Sequence, residues 1–191
     1  GLPTAVTLAA TDPALAERLA GAFHDERFRV YTSTDLIGVQ LGGAVKNVLA
    51  IATGIADGLG FGANARAALI TRGLAEVRRL GRVMGAEDAT FMGLAGMGDL
   101  ILTCTDDQSR NRRLGLALGR GDDVTGAERA IGQTVEGLRT ADELQALAQS
   151  RGTELPICAQ VHALLHGHVT PLEATRRLML RAQKSELDRN P

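Results

Sequence analysis

One lysine lies in the middle of an apolar segment, and its side chain is the first candidate for chemistry. Across residues 44–52 the only polar side chains are Lys46 and Asn47. The chain has 21 basic residues, but only two of them are lysines, Lys46 and Lys184. Arginine keeps its proton in a protein, whereas lysine can release its proton, so a proton-transfer role would require lysine here. The alternative is a lysine at a helix edge whose ammonium reaches water.

Two glycine-rich segments could give this lysine a ligand and a partner. The pair Gly42–Gly43 lies one helical turn before Lys46, where missing side chains admit either a flat ligand or a neighbouring helix. Later glycines, in the segment GLAGMGD at residues 93–99, are expected to break a helix and leave Asp99 at a turn. A carboxylate at that turn could bind the Lys46 ammonium. A helix cap is the alternative role for Asp99.

A short polar run with the sequence SRNRR, residues 109–113, opens a predicted helix. A guanidinium fork beside the free amides of a helix N-terminus binds phosphate well, so Ser109, Arg110 and Asn111 form a candidate anion site. Arg112 and Arg113 are assigned to a solvated helix face. RNA binding by this run is a weaker alternative, because the net charge is −1 and only 3% of residues are aromatic.

The elements that must position these residues are mainly helical. The sequence predicts strands at residues 4–10 and 28–33, separated by a helix at 12–24 with an apolar stripe of Leu15, Leu19 and Phe23. The remaining predicted elements are helices, at residues 37–55, 63–84, 88–94, 110–118, 134–149, 157–166 and 171–184.

The strand–helix–strand unit suggests a boundary in the chain. Two strands and one helix rarely form a stable unit alone, since a small sheet needs partners on its edges and faces. We therefore expect residues 1–34 to be the end of a larger sheet and residues 35–191 to form a helical domain. Self-association through the uncovered strands is a further expectation.

Several other features predict no additional chemistry. The segment GLGFGA, residues 58–63, has the letters of a dinucleotide-binding motif but follows no strand, so it predicts a turn between helices. Cys104 and Cys158 lack metal-ligand spacing and are expected to stay reduced. The histidines are interpreted as scattered, so no metal site is predicted.

Composition also bears on partners and compartment. The net charge of −1 provides no electrostatic surface for nucleic acid. Lys46 and the glycines interrupt the best apolar span, so membrane insertion is not expected. With no secretory signal in the sequence, we expect a cytoplasmic protein.

Five segments together resemble the bacterial NAD(P)-dependent glycerol-3-phosphate dehydrogenases. These segments are GLPTAV, ERFRVYT, the glycine-rich stretch from GGAVKN to RGLAE, the stretch from FMGLAGMGD to RNRRLG, and GQTVEGLRTA. The resemblance extends from Gly1 to Arg181. It implies a Rossmann domain followed by a helical substrate domain of the 6-phosphogluconate dehydrogenase C-terminal type. This chain would carry the second domain and the last strands of the first.

The resemblance also implies roles for individual residues. Lys46 matches the proton donor and acceptor at the C2 oxygen of the substrate, and Asp99 matches an aspartate that positions this chemistry. The implied substrate-binding residues are Lys46, Asn47, Asp99, Thr103, Ser109, Arg110 and Asn111. Implied contacts with NAD or NADP come from Arg110, Thr134 and Glu136, although Thr134 replaces a valine that is usual in the family.

Taken together, the resemblance implies the substrate domain of an enzyme that interconverts sn-glycerol 3-phosphate and dihydroxyacetone phosphate. This reaction would supply glycerophospholipid synthesis. Most of the cofactor would be held by the N-terminal domain, and a homodimer is the expected assembly. The isolated chain is expected to be inactive. Two alternatives remain at this point: a helical dimerisation or scaffold module, and the domain of a related hydroxy-acid dehydrogenase.

Overall fold

The computed structural model describes residues 1–183 and begins with a small parallel sheet. Strands β1 (Thr4–Ala9) and β2 (Phe28–Ser33) pair in parallel, with Thr4 opposite Phe28 and Ala9 opposite Ser33. Helix α1 (Pro13–Phe23) connects them. The Asp12 side chain accepts a hydrogen bond from the Ala14 amide, which caps this helix as its sequence indicates.

Helix α1 packs through its small residues. Ala16 and Ala20 are its buried residues. The predicted apolar stripe lies outside, with Leu15 38%, Leu19 39% and Phe23 60% exposed. A two-stranded sheet is too narrow to cover both faces of the helix, so this stripe remains a bare apolar surface.

All later elements are helical, and the prediction of a mainly α fold is confirmed. The helices are α2 (Leu36–Gly58), α3 (Gly62–Met84), α4 (Asp99–Thr105), α5 (Arg110–Arg120), α6 (Val124–Ile131), α7 (Glu136–Ser150), α8 (Pro156–Leu165) and α9 (Pro171–Met179). A 3-10 helix (Asp88–Met92) and a π-helical segment (Leu94–Gly98) lie between α3 and α4. The last helix, predicted to extend to Lys184, ends at Met179 instead, and Lys184 itself lies outside the described residues.

Helix α2 forms the centre of the domain and contacts α3, α4, α5, α7 and α8. By length and composition alone this helix could cross a membrane, with a mean hydropathy of 1.4 despite Lys46. However, 56% of the apolar window is buried inside the domain, as expected for a core helix. The absence of membrane insertion therefore stays a prediction.

Helices α2 and α5 cross in backbone contact because both carry glycine at the crossing. A Cβ on Gly54 would lie 2.2 Å from the Arg112 carbonyl oxygen, and a Cβ on Gly115 would lie 2.1 Å from the Ile51 carbonyl oxygen. Real Cβ atoms do not approach that closely, so only glycine permits this crossing. The contact brings the start of α5 beside the polar residues of α2.

Two predictions about the segment before Asp99 are wrong. Gly96 and Gly98 do not break the helix, because the π-helical segment continues directly into α4, and Asp99 is the first residue of α4. Gly96 serves packing instead, since a Cβ there would lie 2.2 Å from the Phe91 carbonyl oxygen. The sequence also did not predict α6.

Candidate active site

The lysine and the aspartate singled out in the sequence form an ion pair. Lys46 Nζ donates to Asp99 Oδ2 at 2.5 Å, across 53 residues of chain. The two side chains are 24% and 31% exposed. The ammonium is therefore held by a carboxylate yet remains open to a ligand, unlike an ammonium extended freely into solvent.

Asp99 owes its position to the start of α4. The Thr103 hydroxyl, one turn later, donates to the Asp99 carbonyl oxygen at 2.6 Å and lies 3.4 Å from Asp99 Oδ1. A π-helical segment directly before α4 fits the frequent occurrence of such segments at functional sites. Thr103 thus lies near the carboxylate oxygen that Lys46 does not bind.

The glycines before Lys46 divide between the two roles foreseen for them. A Cβ on Gly42 would lie 2.3 Å from the Ala95 carbonyl oxygen, so Gly42 lets the π-helical segment approach α2. A Cβ on Gly43 would meet nothing within 4 Å. The surface one turn before Lys46 is therefore open at Gly43.

A buried amide connects Asn47 to two further helices. Asn111 Nδ2 donates to Asn47 Oδ1 at 3.0 Å, and the Gly137 amide donates to Asn111 Oδ1 at 2.8 Å. Asn111 is only 4% exposed. These bonds fix the start of α5 and of α7 against the helix that carries Lys46.

The start of α5 has the features of an anion site. Ser109 Oγ accepts from the Arg112 amide at 3.3 Å, which leaves the hydroxyl proton of Ser109 to be donated. The first amides of a helix have no acceptor within the helix and can therefore bind an anion. Arg110 projects beside them, and its Nη2 is 2.5 Å from Glu136 Oε1.

The remaining members of the predicted set differ in their positions. Thr134 is exposed in the loop before α7, two residues from Glu136. Arg112 was assigned to a solvated face, and this is wrong: it is 6% exposed, and its Nη1 lies 2.6 Å from Asp57 Oδ2. The glycine crossing turns this side of α5 towards α2, so Arg112 forms an internal ion pair. Arg113 is exposed as expected.

Comparison with known proteins identifies the family of this chain. Residues 35–176 match the family described as the C-terminus of NAD-dependent glycerol-3-phosphate dehydrogenase. The chain belongs to this family. The matched range contains every predicted site residue, from Lys46 to Glu136.

Relatives of the glycerol-3-phosphate dehydrogenase family cover nearly the whole chain. Glycerol-3-phosphate dehydrogenase [NAD(P)+] of Alkalilimnicola ehrlichii is 74% identical over 95% of this chain and 54% of its own length. The protein of the same name from Halorhodospira halophila is 62% identical over 98% of this chain and 57% of its own length. The chain thus spans about half the length of the curated relatives it matches.

Solved glycerol-3-phosphate dehydrogenases share the fold. The Coxiella burnetii enzyme matches with a TM-score of 0.91 and 56% identity, covering 94% of this chain and 55% of that one. The Saccharomyces cerevisiae enzyme matches with a TM-score of 0.83 and 27% identity, covering 92% of this chain and 54% of that one. Both matches again involve about half of the larger protein.

A cavity of about 630 Å³ lies away from the predicted site. It is lined mainly by apolar residues of α2, α3, α8 and α9, together with Glu76, Gln160 and the charged side chains of Arg72, Arg79 and Arg181. None of the predicted site residues lines it. We place the candidate active site at Lys46 and Asp99 because a partly exposed lysine and carboxylate are paired there, next to the Asn47–Asn111 bond.

Glu76 is a buried carboxylate that joins α3 to α8. Its Oε1 accepts from the Ile157 amide at 2.7 Å and its Oε2 from the Cys158 amide at 3.3 Å. Burial raises the pKa of Glu76 to about 7, against these hydrogen bonds, which lower it. Glu76 therefore binds the N-terminus of α8 and has a structural role.

The two thiols are unsuited to catalysis. Cys104 and Cys158 are free and buried. Burial raises the pKa of Cys104 to about 12, and burial followed by the nearby Glu76 carboxylate raises the pKa of Cys158 well above its usual value. Both thiols stay protonated at neutral pH and cannot act as nucleophiles.

One constellation was missed in the sequence. His162 and His166 were interpreted as scattered, but a spacing of four residues brings them to one side of α8, His162 in its last turn and His166 as its C-cap. Both lie beside Asp142 of α7, with His166 Nε2 2.7 Å and His162 Nε2 3.4 Å from Asp142 Oδ1. The histidine spacing was a usable signal, whereas the aspartate from another helix could not be foreseen.

Proposed function

We propose that this chain is the substrate domain of a dehydrogenase that interconverts sn-glycerol 3-phosphate and dihydroxyacetone phosphate with NAD or NADP. The observation that carries this proposal is the 2.5 Å contact between Lys46 Nζ and Asp99 Oδ2. The next residue on α2, Asn47, is hydrogen-bonded to Asn111 near the start of α5, where the anion site lies. A proton donor and a phosphate site are thereby fixed to one rigid framework. Family membership supports the choice of substrate.

Lys46 is assigned as the proton donor and acceptor of the reaction. Reduction of the ketone leaves negative charge on its C2 oxygen, and the Lys46 ammonium gives a proton to this oxygen; in the reverse direction the neutral amine removes it. Asp99 holds Nζ in position through their 2.5 Å contact. General acid–base help of this kind contributes about 10²–10⁴-fold in rate.

The phosphate is assigned to the start of α5. Arg110 offers a guanidinium fork, the N-terminus of α5 favours an anion, and Ser109 can donate its hydroxyl proton. Arg110 pairs with Glu136 in this structure. A phosphate dianion would displace this half-exposed carboxylate and place the substrate carbon chain towards Lys46.

The residues of this chain fit one edge of a nicotinamide cofactor. Arg110 and Glu136 are half-exposed charged groups at the starts of α5 and α7, and Thr134 is exposed beside them. The GLGFGA segment does not fit, because it connects helix α2 to helix α3 and follows no strand. A bound cofactor would supply the hydride, while this chain supplies the proton and the phosphate contacts.

The strand–helix–strand unit belongs in this proposal to the nucleotide-binding domain. We assign residues 1–34 to the end of that domain and residues 35–191 to the substrate domain, in a homodimeric cytoplasmic enzyme. The exposed stripe of Leu15, Leu19 and Phe23 supports the first assignment, because such a surface normally packs against further structure.

The phosphate site can be tested on the chain itself by titration with sn-glycerol 3-phosphate in a calorimeter. Weak binding is expected, with at least about a tenfold loss in Arg110→Ala, since charged hydrogen bonds contribute about 1.5–3 kcal/mol. Arg113→Ala is the matched control, because Arg113 is an exposed arginine on the same helix. Equal binding by both variants would contradict the assignment and favour a scaffold role.

Binding of RNA by the 109–113 segment has little support. Arg112 is buried and paired with Asp57, so Arg110 and Arg113 are the arginines of the run that could contact a phosphate backbone. A nucleic-acid site would show a steep salt dependence that a small phosphate site does not require.

A further inference from the structure

Two imidazoles and a carboxylate converge on one point between α7 and α8. Asp142 Oδ1 lies 2.7 Å from His166 Nε2 and 3.4 Å from His162 Nε2. All three atoms lie within 4.8 Å of one another. The same oxygen faces both rings, so the three groups surround a shared position.

We propose that Asp142, His162 and His166 form a binding site for a divalent transition-metal ion, with zinc as the ion that suits this donor set. Zinc bound tetrahedrally at about 2.0–2.1 Å separates its ligand atoms by about 3.3 Å. The His162–Asp142 distance of 3.4 Å already matches, and the His166–Asp142 distance of 2.7 Å needs only a small side-chain adjustment.

The helical spacing makes this a chelating site rather than a chance contact. His162 and His166 are four residues apart on α8, so their rings are neighbours, with centroids 4.5 Å apart. Asp142 is contributed by a different helix. Without metal, two Nε2–H groups can share the carboxylate; with metal, both nitrogens bind the ion through their lone pairs and the ring protons reside on Nδ1.

Exposure determines what kind of metal site this is. The Asp142, His162 and His166 side chains are 55%, 27% and 46% exposed, so water can take the fourth ligand position. Such an open site binds metal more weakly than a closed four-residue site. The ion would connect α7 to α8, about two turns along α7 from Glu136, and thereby stabilise the helical domain.

Titration of the tag-free, 191-residue chain with Zn²⁺ and with Co²⁺ tests the proposal. We expect one ion per chain, with the visible absorption of tetrahedral Co²⁺. His162→Ala, His166→Ala and Asp142→Asn should each weaken binding at least about tenfold. His24→Ala is the matched control, because His24 lies beyond α1, outside this cluster, and it should bind as the parent does.

A second measurement separates lost ligands from lost folding. Saturating Zn²⁺ should raise the thermal unfolding midpoint of the parent and of His24→Ala, because an ion that binds only the folded state stabilises it. The rise should be absent from His162→Gln and His166→Gln, which keep polar side chains of similar size. Failure of the parent to bind, or unchanged binding in these variants, would overturn the proposal.

Discussion

Asn111 is the residue that ties the candidate site together. Its side-chain amide bonds Asn47 on α2 and the Gly137 amide on α7 while it belongs to α5 itself. Because it is 4% exposed, it acts by positioning its neighbours in this structure. The resemblance implied a direct substrate contact for Asn111, which stays a prediction.

Replacement of Asn111 by alanine should destabilise the fold. The change leaves the Gly137 amide without its acceptor and Asn47 without its donor, and each unsatisfied group costs about 1–3 kcal/mol. Urea unfolding should therefore show a loss of about 2–6 kcal/mol. Asn47→Ala is the comparison, since it removes only one of the two bonds and should cost less. Equal losses would contradict the positioning role.

Functional side chains could be predicted from the sequence where a residue type is unusual for its surroundings. Lys46 stood out in an apolar segment of a chain that otherwise uses arginine, and its pairing with Asp99 follows from that oddity. The Asn47–Asn111 bond spans 64 residues and has no local signal. Arg112 was misplaced for a similar reason, because a charged run is usually exposed.

The crossing of α2 and α5 sets the geometry of the site at the level of elements. Four glycines allow this crossing, and a Cβ at any of them would enter the partner backbone: Gly54, Gly58, Gly115 and Gly119. A change that separates the two helices would also move Asn111 away from Asn47. Packing at the crossing and alignment of the site are therefore coupled.

Gly54→Ala tests this coupling. The new Cβ would lie 2.2 Å from the Arg112 carbonyl oxygen, so the helices must separate, with an expected cost of about 1–3 kcal/mol or more. Gly43→Ala on the same helix is the matched control: its Cβ meets nothing within 4 Å, and better helix propensity should leave stability unchanged or raised by up to about 1 kcal/mol. Similar unfolding midpoints for both variants would argue against the close crossing.

Helices with caps or long apolar periods were predictable, and short ones were not. The last helix begins at residue 171 as predicted, with a capping box formed by Thr170 and Glu173. The short α4 and α6 were missed; at α4 the reason is that the glycines before Asp99 were expected to break a helix. Glycine has two uses, chain reversal and close packing, and only tertiary contacts distinguish them.

Stability of the whole molecule should depend on pH through Glu76. Its pKa is about 7 in the fold against an ordinary value of 4.5, so between these values the folded chain holds a proton that the unfolded chain has released. The free energy of unfolding therefore falls as pH rises through that window. At about 1.4 kcal/mol per pKa unit, the loss is about 3 kcal/mol.

Glu76→Gln should remove that cost at high pH. Urea unfolding of the parent and the variant at pH 5 and pH 8 should show the variant gaining stability relative to the parent as pH rises. Glu128→Gln is the matched control, since Glu128 is an exposed carboxylate on α6. If the parent instead became more stable relative to Glu76→Gln as pH rose, the protonated state assigned to Glu76 would be contradicted.

The two-stranded sheet should make the chain self-associate. Each strand leaves one edge unpaired, and the neighbouring stripe on α1 is exposed. Sedimentation equilibrium should show concentration-dependent association, which a chain shortened to residues 35–191 should lose. A strictly monomeric profile of the full chain at high concentration would contradict this expectation.

The central claim is that Lys46 transfers the proton. The direct measurement joins the N-terminal half of the Alkalilimnicola ehrlichii relative to this chain and follows oxidation of NADH and NADPH with dihydroxyacetone phosphate. Lys46→Arg keeps the charge but cannot release a proton, so kcat should fall at least about 100-fold, while Arg113→Lys should match the parent. Near-parental activity in a folded Lys46→Arg protein would contradict the claim.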